Sequence, residues 1–129
     1  MNNIPIYRAK TAYNDEYVEG YYILEPETEH MKELHFLIDL GHCRIHHEVD
    51  PSTLSIHFPD MLDSEGNKIF ASLQEDGKGG DVITHYMDLE NEKFPIIFKR
   101  GGTRRYFPFG KSYPIMNKYN EYTVTGVQK

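Results

Sequence analysis

Apolar residues recur at every second position through residues 34–49. Leu34, Phe36, Ile38 and Leu40 alternate with His35, Leu37 and Asp39. Cys43, Ile45, His47 and Val49 then alternate with Arg44, His46 and Glu48. A period of two belongs to extended chain, where successive side chains point to opposite faces; a helix repeats every 3.6 residues. Gly41-His42 between the runs predicts a two-residue hairpin turn, with glycine supplying the positive φ of type II′. On that pairing His35 and His46 share the polar face, while Cys43 and His47 point to the other.

The same pattern governs the rest of the chain. Residues 4–9 and 17–24 predict a strand pair turning at Asn14-Asp15, and Gly20 predicts a bulge or a close backbone approach. Asp50-Pro51 opens a turn before a short strand at 54–58. Residues 63–67 form a turn before a strand at 68–70. Residues 71–80 end in Glu75-Asp76-Gly77-Lys78-Gly79-Gly80, which predicts an exposed, mobile loop. Residues 96–99 and 103–107 around Gly101-Gly102 predict a second tight hairpin, and Tyr122–Val127 a last strand. Only 25–33 and 84–93 carry any helical pattern, and neither reaches the length of an independent amphipathic helix. Many short strands between Gly, Pro and Asp turns predict an all-β domain with minor helix, a small barrel built from antiparallel hairpins.

A length of 129 residues fits one domain. Ten Tyr and seven Phe, with no Trp, supply the large side chains of its core. The single cysteine, Cys43, leaves no internal disulfide. Neither a basic-then-apolar leader nor a long apolar run is present, which predicts a cytoplasmic protein with no membrane contact.

The net charge of −6 conceals a division. Residues 1–92 hold six Lys/Arg against nineteen Asp/Glu, a balance of −13, whereas residues 93–118 hold seven Lys/Arg and no acid. Such a split marks either an electropositive surface on an acidic body or two parts that pack together. The small size of the domain favours the second.

A set of turn-and-strand phrases spans most of the chain. In order they are Tyr7-Arg8-Ala9-Lys10, Val18-Glu19-Gly20-Tyr21, Val49-Asp50-Pro51-Ser52-Thr53, Asp63-Ser64-Glu65-Gly66-Asn67-Lys68-Ile69-Phe70 and Gly80-Asp81-Val82-Ile83, closing with Tyr122-Thr123-Val124-Thr125-Gly126-Val127. In these phrases and their spacing the chain resembles the YopX family, small proteins encoded by bacteriophages and prophages. The family's Gly-Asp-Ile-Val stretch usually follows its Lys-x-Ile-Tyr stretch almost directly. Here residues 71–79 intervene, so the resemblance implies one YopX-like β domain over 1–129 with an inserted loop at 71–80. It also implies a phage-related bacterial setting. It carries over no catalytic residue and no cofactor.

The residues themselves offer little reactive chemistry. His42, Cys43, His46 and His47, with His35 and His57, are dense enough to suggest zinc, but the predicted hairpin gives no single face a cysteine and two histidines. Asp63-Ser-Glu-Gly-Asn-Lys lacks the ligand ladder and distal Glu of a calcium loop and reads as a capped turn. Asp76-Gly-Lys-Gly-Gly-Asp81 lacks the helix and the Ser/Thr of a phosphate loop. No nucleophile, base and orienting group can be assembled. The expectation is therefore no catalytic residue, no metal, no cofactor and no small-molecule substrate.

The functional candidate is the basic, aromatic segment. Lys99, Arg100, Arg104 and Arg105 flank the Gly101-Gly102 turn, and Tyr106, Lys111 and Tyr113 follow, with Phe107 and Phe109. Cations beside aromatic rings suit either carboxylate-bearing protein surfaces or nucleic acid. The expectation is a non-catalytic binding module contacting protein, or a second copy of itself, through residues 99–113 and the 71–80 loop. The alternative is a β-barrel that binds nucleic acid through the same hairpin.

Overall fold

A computed structural model of the chain describes residues 4–41, 45–85, 93–99, 102–106, 112–115 and 119–129; for 102–106 and 112–114 it describes the backbone alone. Among the described residues there are eleven strands. They are β1 (Ile6–Lys10), β2 (Tyr17–Glu25), β3 (Leu34–Asp39), β4 (His46–Glu48), β5 (Ser55–His57), β6 (Ala71–Ser72), β7 (Asp81–His85), β8 (Phe94–Lys99), β9 (Gly102–Tyr106), β10 (Ser112–Pro114) and β11 (Tyr122–Val127). Short 3-10 turns at Pro51–Thr53 and Tyr119–Glu121 are the helical content. The all-β expectation holds.

The sheet runs in the order β10-β9-β8-β6-β5-β1-β2-β3-β4, with β7 joined to β8 and to β11. It curls into a half-barrel. All but one of its pairings are antiparallel; β6 and β8 run parallel, meeting at Ser72 and Ile97.

Register decides which residues become core. Tyr7 faces Gly20, Ala9 faces Val18, and Tyr22 faces Leu37. Ala9, Leu37, Val49 and Leu54 form one buried cluster, with Tyr7, Val18 and Tyr22 against it. A larger cluster holds Ile56, Ile69, Ala71, Ile83, Ile96 and Ile115 among others, and Tyr7 packs against that one too. Gly20 provides a close approach: a Cβ there would lie 2.0 Å from the Ile38 carbonyl oxygen.

Several expectations need correction. Ile38 pairs with His46, and the Asp39 N–H donates to the Ile45 carbonyl at 2.9 Å. Six residues, 40–45, therefore lie between β3 and β4 in place of a two-residue turn. The register moves by one, and a one-residue slip exchanges the faces. His47 thus sits opposite Leu37 on the His35 face, and His46 opposite Ile38 on the other. The strand expected at 68–70 is a single bridge between Lys68 and Leu62, and the pairing segment begins at Ala71. Lys99 pairs with Gly102, so Gly102 belongs to β9 and not to the turn expected at Gly101-Gly102; Arg100 and Gly101 lie outside the described residues. The pattern at 25–33 forms no helix; that at 84–93 lies largely outside the described residues.

The 71–80 segment is exposed at Leu73, Glu75 and Asp76, as expected, but it is closed on itself and its glycines are not exposed. Gly77, Gly79 and Gly80 are buried. The Ser72 hydroxyl donates to the Lys78 carbonyl at 2.7 Å and accepts from the Gln74 N–H at 2.9 Å, closing the segment on itself. Gly79 N–H donates to the Gln128 carbonyl, and Gln128 N–H to that of Gly80, both at 2.8 Å. Gly79 has φ +82°, and a Cβ on it would fall 2.0 Å from the Thr53 carbonyl oxygen. Glycine is required there twice over, for conformation and for space.

Asp63 fastens the other turn, as expected of a capped turn. Its carboxylate accepts from the N–H groups of Glu65 (2.9 Å), Asn67 (2.8 Å) and Val124 (3.0 Å) and from the Asn67 side chain (3.3 Å). Burial pushes its pKa up, but these donors outweigh that and hold it below 3.8. A depressed carboxylate stabilises the fold fully above its unfolded value and loses that contribution as pH falls through the folded one. Asp63→Ala, which strands three backbone donors, is expected to cost about 3 kcal/mol or more at neutral pH. Urea unfolding followed from pH 5 downward should show the wild type losing stability into acid more steeply than the variant. Parallel curves would contradict this role.

Candidate functional site

The second half of the 71–80 segment is held by a buried ion pair. Arg8 on β1 donates through Nη2 to Asp81 Oδ1 at 2.7 Å and to the Gly79 carbonyl at 3.0 Å. The other carboxylate oxygen of Asp81 accepts from the Phe70 N–H at 2.8 Å. The guanidinium lies 4.5 Å from the Phe70 ring centroid. The Asp81 side chain is 2% exposed and that of Arg8 12%. Burial pushes the Asp81 pKa up, and Arg8 and the Phe70 N–H act against that rise. Tyr7-Arg8-Ala9-Lys10, Val49–Thr53 and Gly80–Ile83 meet at this junction, with the Thr53 carbonyl against Gly79.

That junction fixes the first half of the segment as one wall of a cleft. Leu73, Gln74 and Glu75 face Phe98 and Lys99 across a space of about 320 Å³. Gln74 is held from both ends: its N–H by Ser72 and its side-chain amide by the Pro51 carbonyl at 3.2 Å. Phe98 rests on Phe58, ring centroids 5.4 Å apart. Leu73 is 36% exposed and Lys99 stands in solvent. Its lining combines two apolar side chains, Leu73 and Phe98, with the amide of Gln74, one acid, Glu75, and one cation, Lys99.

Of the residues expected to form the site, Lys99 lines this cleft. Arg104, Arg105 and Tyr106 lie on β9 and Tyr113 on β10, so the sheet gathers them at one end. Tyr113 and Arg105 are paired in register, and Arg104 pairs with Pro114. Arg100 and Lys111 lie outside the described residues, as do Phe107 and Phe109. Sequence reasoning chose the 71–80 segment but missed Phe98 as its opposing wall. The available signal was the proximity of Phe98 to Lys99.

The charge division takes a definite form. The basic and acidic parts do pack together, because β8 pairs with β6 and β7. Of the seven Lys/Arg in residues 93–118, Lys93 and Lys99 have described side chains, and neither forms an ion pair among the described residues. Residues 17–50, with eight acids against two Lys/Arg, build β2–β4 at one end of the sheet, and β8–β10 form the other. The Lys/Arg ion pairs among the described side chains, Arg8–Asp81 and Lys68–Glu19, lie within the acidic part.

Four of the described histidines, His35, His47, His57 and His85, are engaged singly. Tyr22 O–H donates to His35 Nδ1 (2.6 Å), whose Nε2–H donates to Glu33 (3.0 Å). Tyr13, His47 and Asp39 repeat this arrangement. His57 Nδ1–H donates to the Ile69 carbonyl, and His85 reaches Glu121. Among the described residues no three His, Cys, Asp or Glu side chains converge as a metal site. His42 and Cys43 lie outside them.

No protein-family model, curated protein or solved structure matches the chain. No helix among the described residues is long and apolar enough to cross a membrane.

Asp81→Asn leaves Arg8 buried beside a neutral group and is expected to cost about 3–5 kcal/mol. Arg8→Met with Asp81→Leu should cost less than the sum of the two single changes, because the pair's desolvation is removed with its attraction. Equilibrium urea unfolding of the four proteins measures this coupling. Strict additivity would show that the pair does not act as a unit.

Proposed function

We propose that the chain is a YopX-like accessory protein of a bacteriophage or prophage, acting in the bacterial cytoplasm as a non-catalytic binding module. Its contact surface is the β8–β10 end of the sheet with the adjoining cleft. Its partner is a protein surface that offers carboxylates around an apolar anchor.

The observation that carries this reading is the cleft itself. The two segments singled out by composition, 71–80 and 99–113, are far apart in sequence, yet Leu73–Glu75 and Lys99 line one cleft. Buried apolar anchors supply most of the affinity of such contacts, and rim charges select and steer the partner. Leu73 and Phe98 suit the first role, and Lys99, Arg104 and Arg105 the second. The fixed wall reduces the ordering cost of binding, because Ser72, Gln74 and Gly79 already hold it.

One observation favours a second reading. Seven Lys/Arg without an acid over residues 93–118 suit nucleic acid as well as a protein carboxylate.

Cross-linked capture from bacterial lysate is expected to recover a protein with the wild-type chain. Recovery should fall roughly tenfold or more with Leu73→Asp combined with Lys99→Glu. Labelled single-stranded and duplex DNA and RNA are expected not to bind at low salt. Tight binding with a steep salt slope, abolished by Arg104→Ala with Arg105→Ala, would replace the protein-binding reading with the nucleic-acid one.

A further inference from the structure

Two histidines carry the same arrangement on one face of β3 and β4. His47 pairs with Leu37, which makes Asp39 and His35 its diagonal neighbours on that face. The turn between β1 and β2 is fastened to the same strand. Ala12 N–H donates to the Glu48 carbonyl, and Thr11 N–H to that of Glu16, both at 2.8 Å. Tyr13 is thereby held over His47, with ring centroids 6.4 Å apart and planes inclined by 29°.

The hydrogen bonds run in one direction. The Asp39 carboxylate accepts from the Gly41 N–H at 2.7 Å and from His47 Nε2–H at 3.4 Å. A carboxylate at Nε2 keeps the ring proton there, so Nδ1 offers its lone pair. Tyr13 O–H donates to that lone pair at 2.7 Å. Hydroxyl, base and orienting carboxylate stand in the order that activates a nucleophile. The sequence hides this trio, because positions 13, 39 and 47 meet only through the turn and the β3–β4 register.

Tyr22, His35 and Glu33 form the same chain, but that phenol serves packing. Tyr22 lies against Tyr7, centroids 5.3 Å apart, and against the Ala9–Leu37 cluster. Burial and then the charge of Glu33 push its pKa up. Tyr13 belongs to neither buried cluster and is 65% exposed. Core packing therefore does not account for its bond to a base. Carboxylates surround it: Asp15 and Glu16 in its own turn and Glu48 beside His47 are all exposed. Such a field repels phosphoryl donors, which carry several negative charges, and admits an uncharged acyl group.

We propose that Tyr13 is a covalent acyl-acceptor site, whose phenol takes an acyl group from an activated ester or thioester with His47 as its base. The phenol oxygen attacks the acyl carbon while its proton passes to His47 Nδ1, and Asp39 holds the imidazolium that forms. The bond from the acyl carbon to the leaving group then breaks. The departing oxygen or sulfur takes the proton back from His47. The products are an aryl ester on Tyr13 and a free alcohol or thiol, with no change of oxidation state. Asp39 is a positioning residue. The site lies at the β1–β2 turn, apart from the cleft, and does not depend on the binding reading.

The full chain treated with p-nitrophenyl acetate at neutral pH tests this, with peptide mass spectrometry to locate and time the acetyl group. Tyr13 should be acetylated before Tyr21, which is 38% exposed and bonded to no described histidine. That comparison needs no variant. Tyr13→Phe should remove the label, and His47→Gln should slow labelling of Tyr13 about a hundredfold. Asp39→Asn should slow it as well, and Asp39→Glu should restore most of the rate, which a merely structural role would not do. Circular dichroism confirms the fold of each variant. Equal labelling of Tyr13 and Tyr21 overturns the proposal, because exposure alone then sets the rate. So does labelling of Tyr13 that His47→Gln leaves unchanged, or acetyl found on lysines and not on Tyr13.

Discussion

Arg8 and Asp81 are 73 residues apart in sequence and 2.7 Å apart in space. Around that contact four otherwise independent pieces take their places. β1 contributes the guanidinium, and Phe70 contributes a ring beneath it and an N–H to the carboxylate. Gly79 contributes a carbonyl, and Gln128, just past β11, hydrogen-bonds the same glycine turn. A buried ion pair is a costly source of stability, because both charges lose their water. The Arg8 Nε and the Tyr17 hydroxyl add to the cost, buried without a hydrogen-bond partner among the described residues. What such a pair offers is selectivity. A shifted register in β1 or β7 would separate Arg8 from Asp81 and leave a buried charge without its counter-ion, a penalty of several kcal/mol on the order of that for breaking any buried pair.

This selectivity explains a feature of the sequence. Several of the polar turn-and-strand phrases, Tyr7–Lys10, Val49–Thr53 and Gly80–Ile83 among them, converge on the junction. Asp50 caps the Pro51–Thr53 turn by accepting from Ser52, and Thr53 accepts from the Lys10 N–H at 2.9 Å. Thr53 in turn presents its carbonyl to Gly79 at a distance that excludes any side chain. Polar residues of these phrases are therefore spent on holding turns against strands. That use keeps a polar, turn-rich phrase together without any chemistry at a substrate.

Much of the fold was legible because alternation is a local signal. Tyr122–Val127 matches its expected bounds, β2 extends one residue beyond them, and the all-β class follows from many such runs. Errors arose where a non-local choice overrode the local one. Gly41-His42 is a good hairpin dipeptide, but Asp39 N–H bonds to Ile45 and lengthens the loop, which inverts the faces of His46 and His47. The glycine-rich run at 75–80 looked mobile because glycine favours loops. Its glycines instead mark places where backbone meets backbone, with Thr53 behind Gly79 and Ser72 behind Gly80. No local pattern distinguishes those two uses. The Arg8–Asp81 pair was illegible for the same reason, since an arginine on one strand and an aspartate on another announce nothing until the sheet order is known. Of the binding surface, the charge run was legible and the cleft wall at Phe98 was not.

Sheet order also turns a composition into a geometry. A chain of net charge −6 with seven cations in one segment could bring opposite charges together and cancel its field locally. Here the order β10-β9-β8-β6-β5-β1-β2-β3-β4 places the acid-rich strands and the basic ones at opposite ends. Among the described side chains the Lys/Arg ion pairs are Arg8–Asp81 and Lys68–Glu19, both outside the basic strands. Separated charges cost self-energy that compact mixing would avoid, and salt screens that cost over about 8 Å at physiological ionic strength. The sheet tolerates the arrangement because hydrogen bonding and the apolar core, not surface charge, set strand order. The consequence is a polar object with an apolar cleft at its basic end. Charge alone would orient such surfaces without holding them, and apolar area alone would hold them without orienting them. The contact proposed for the basic end would use both.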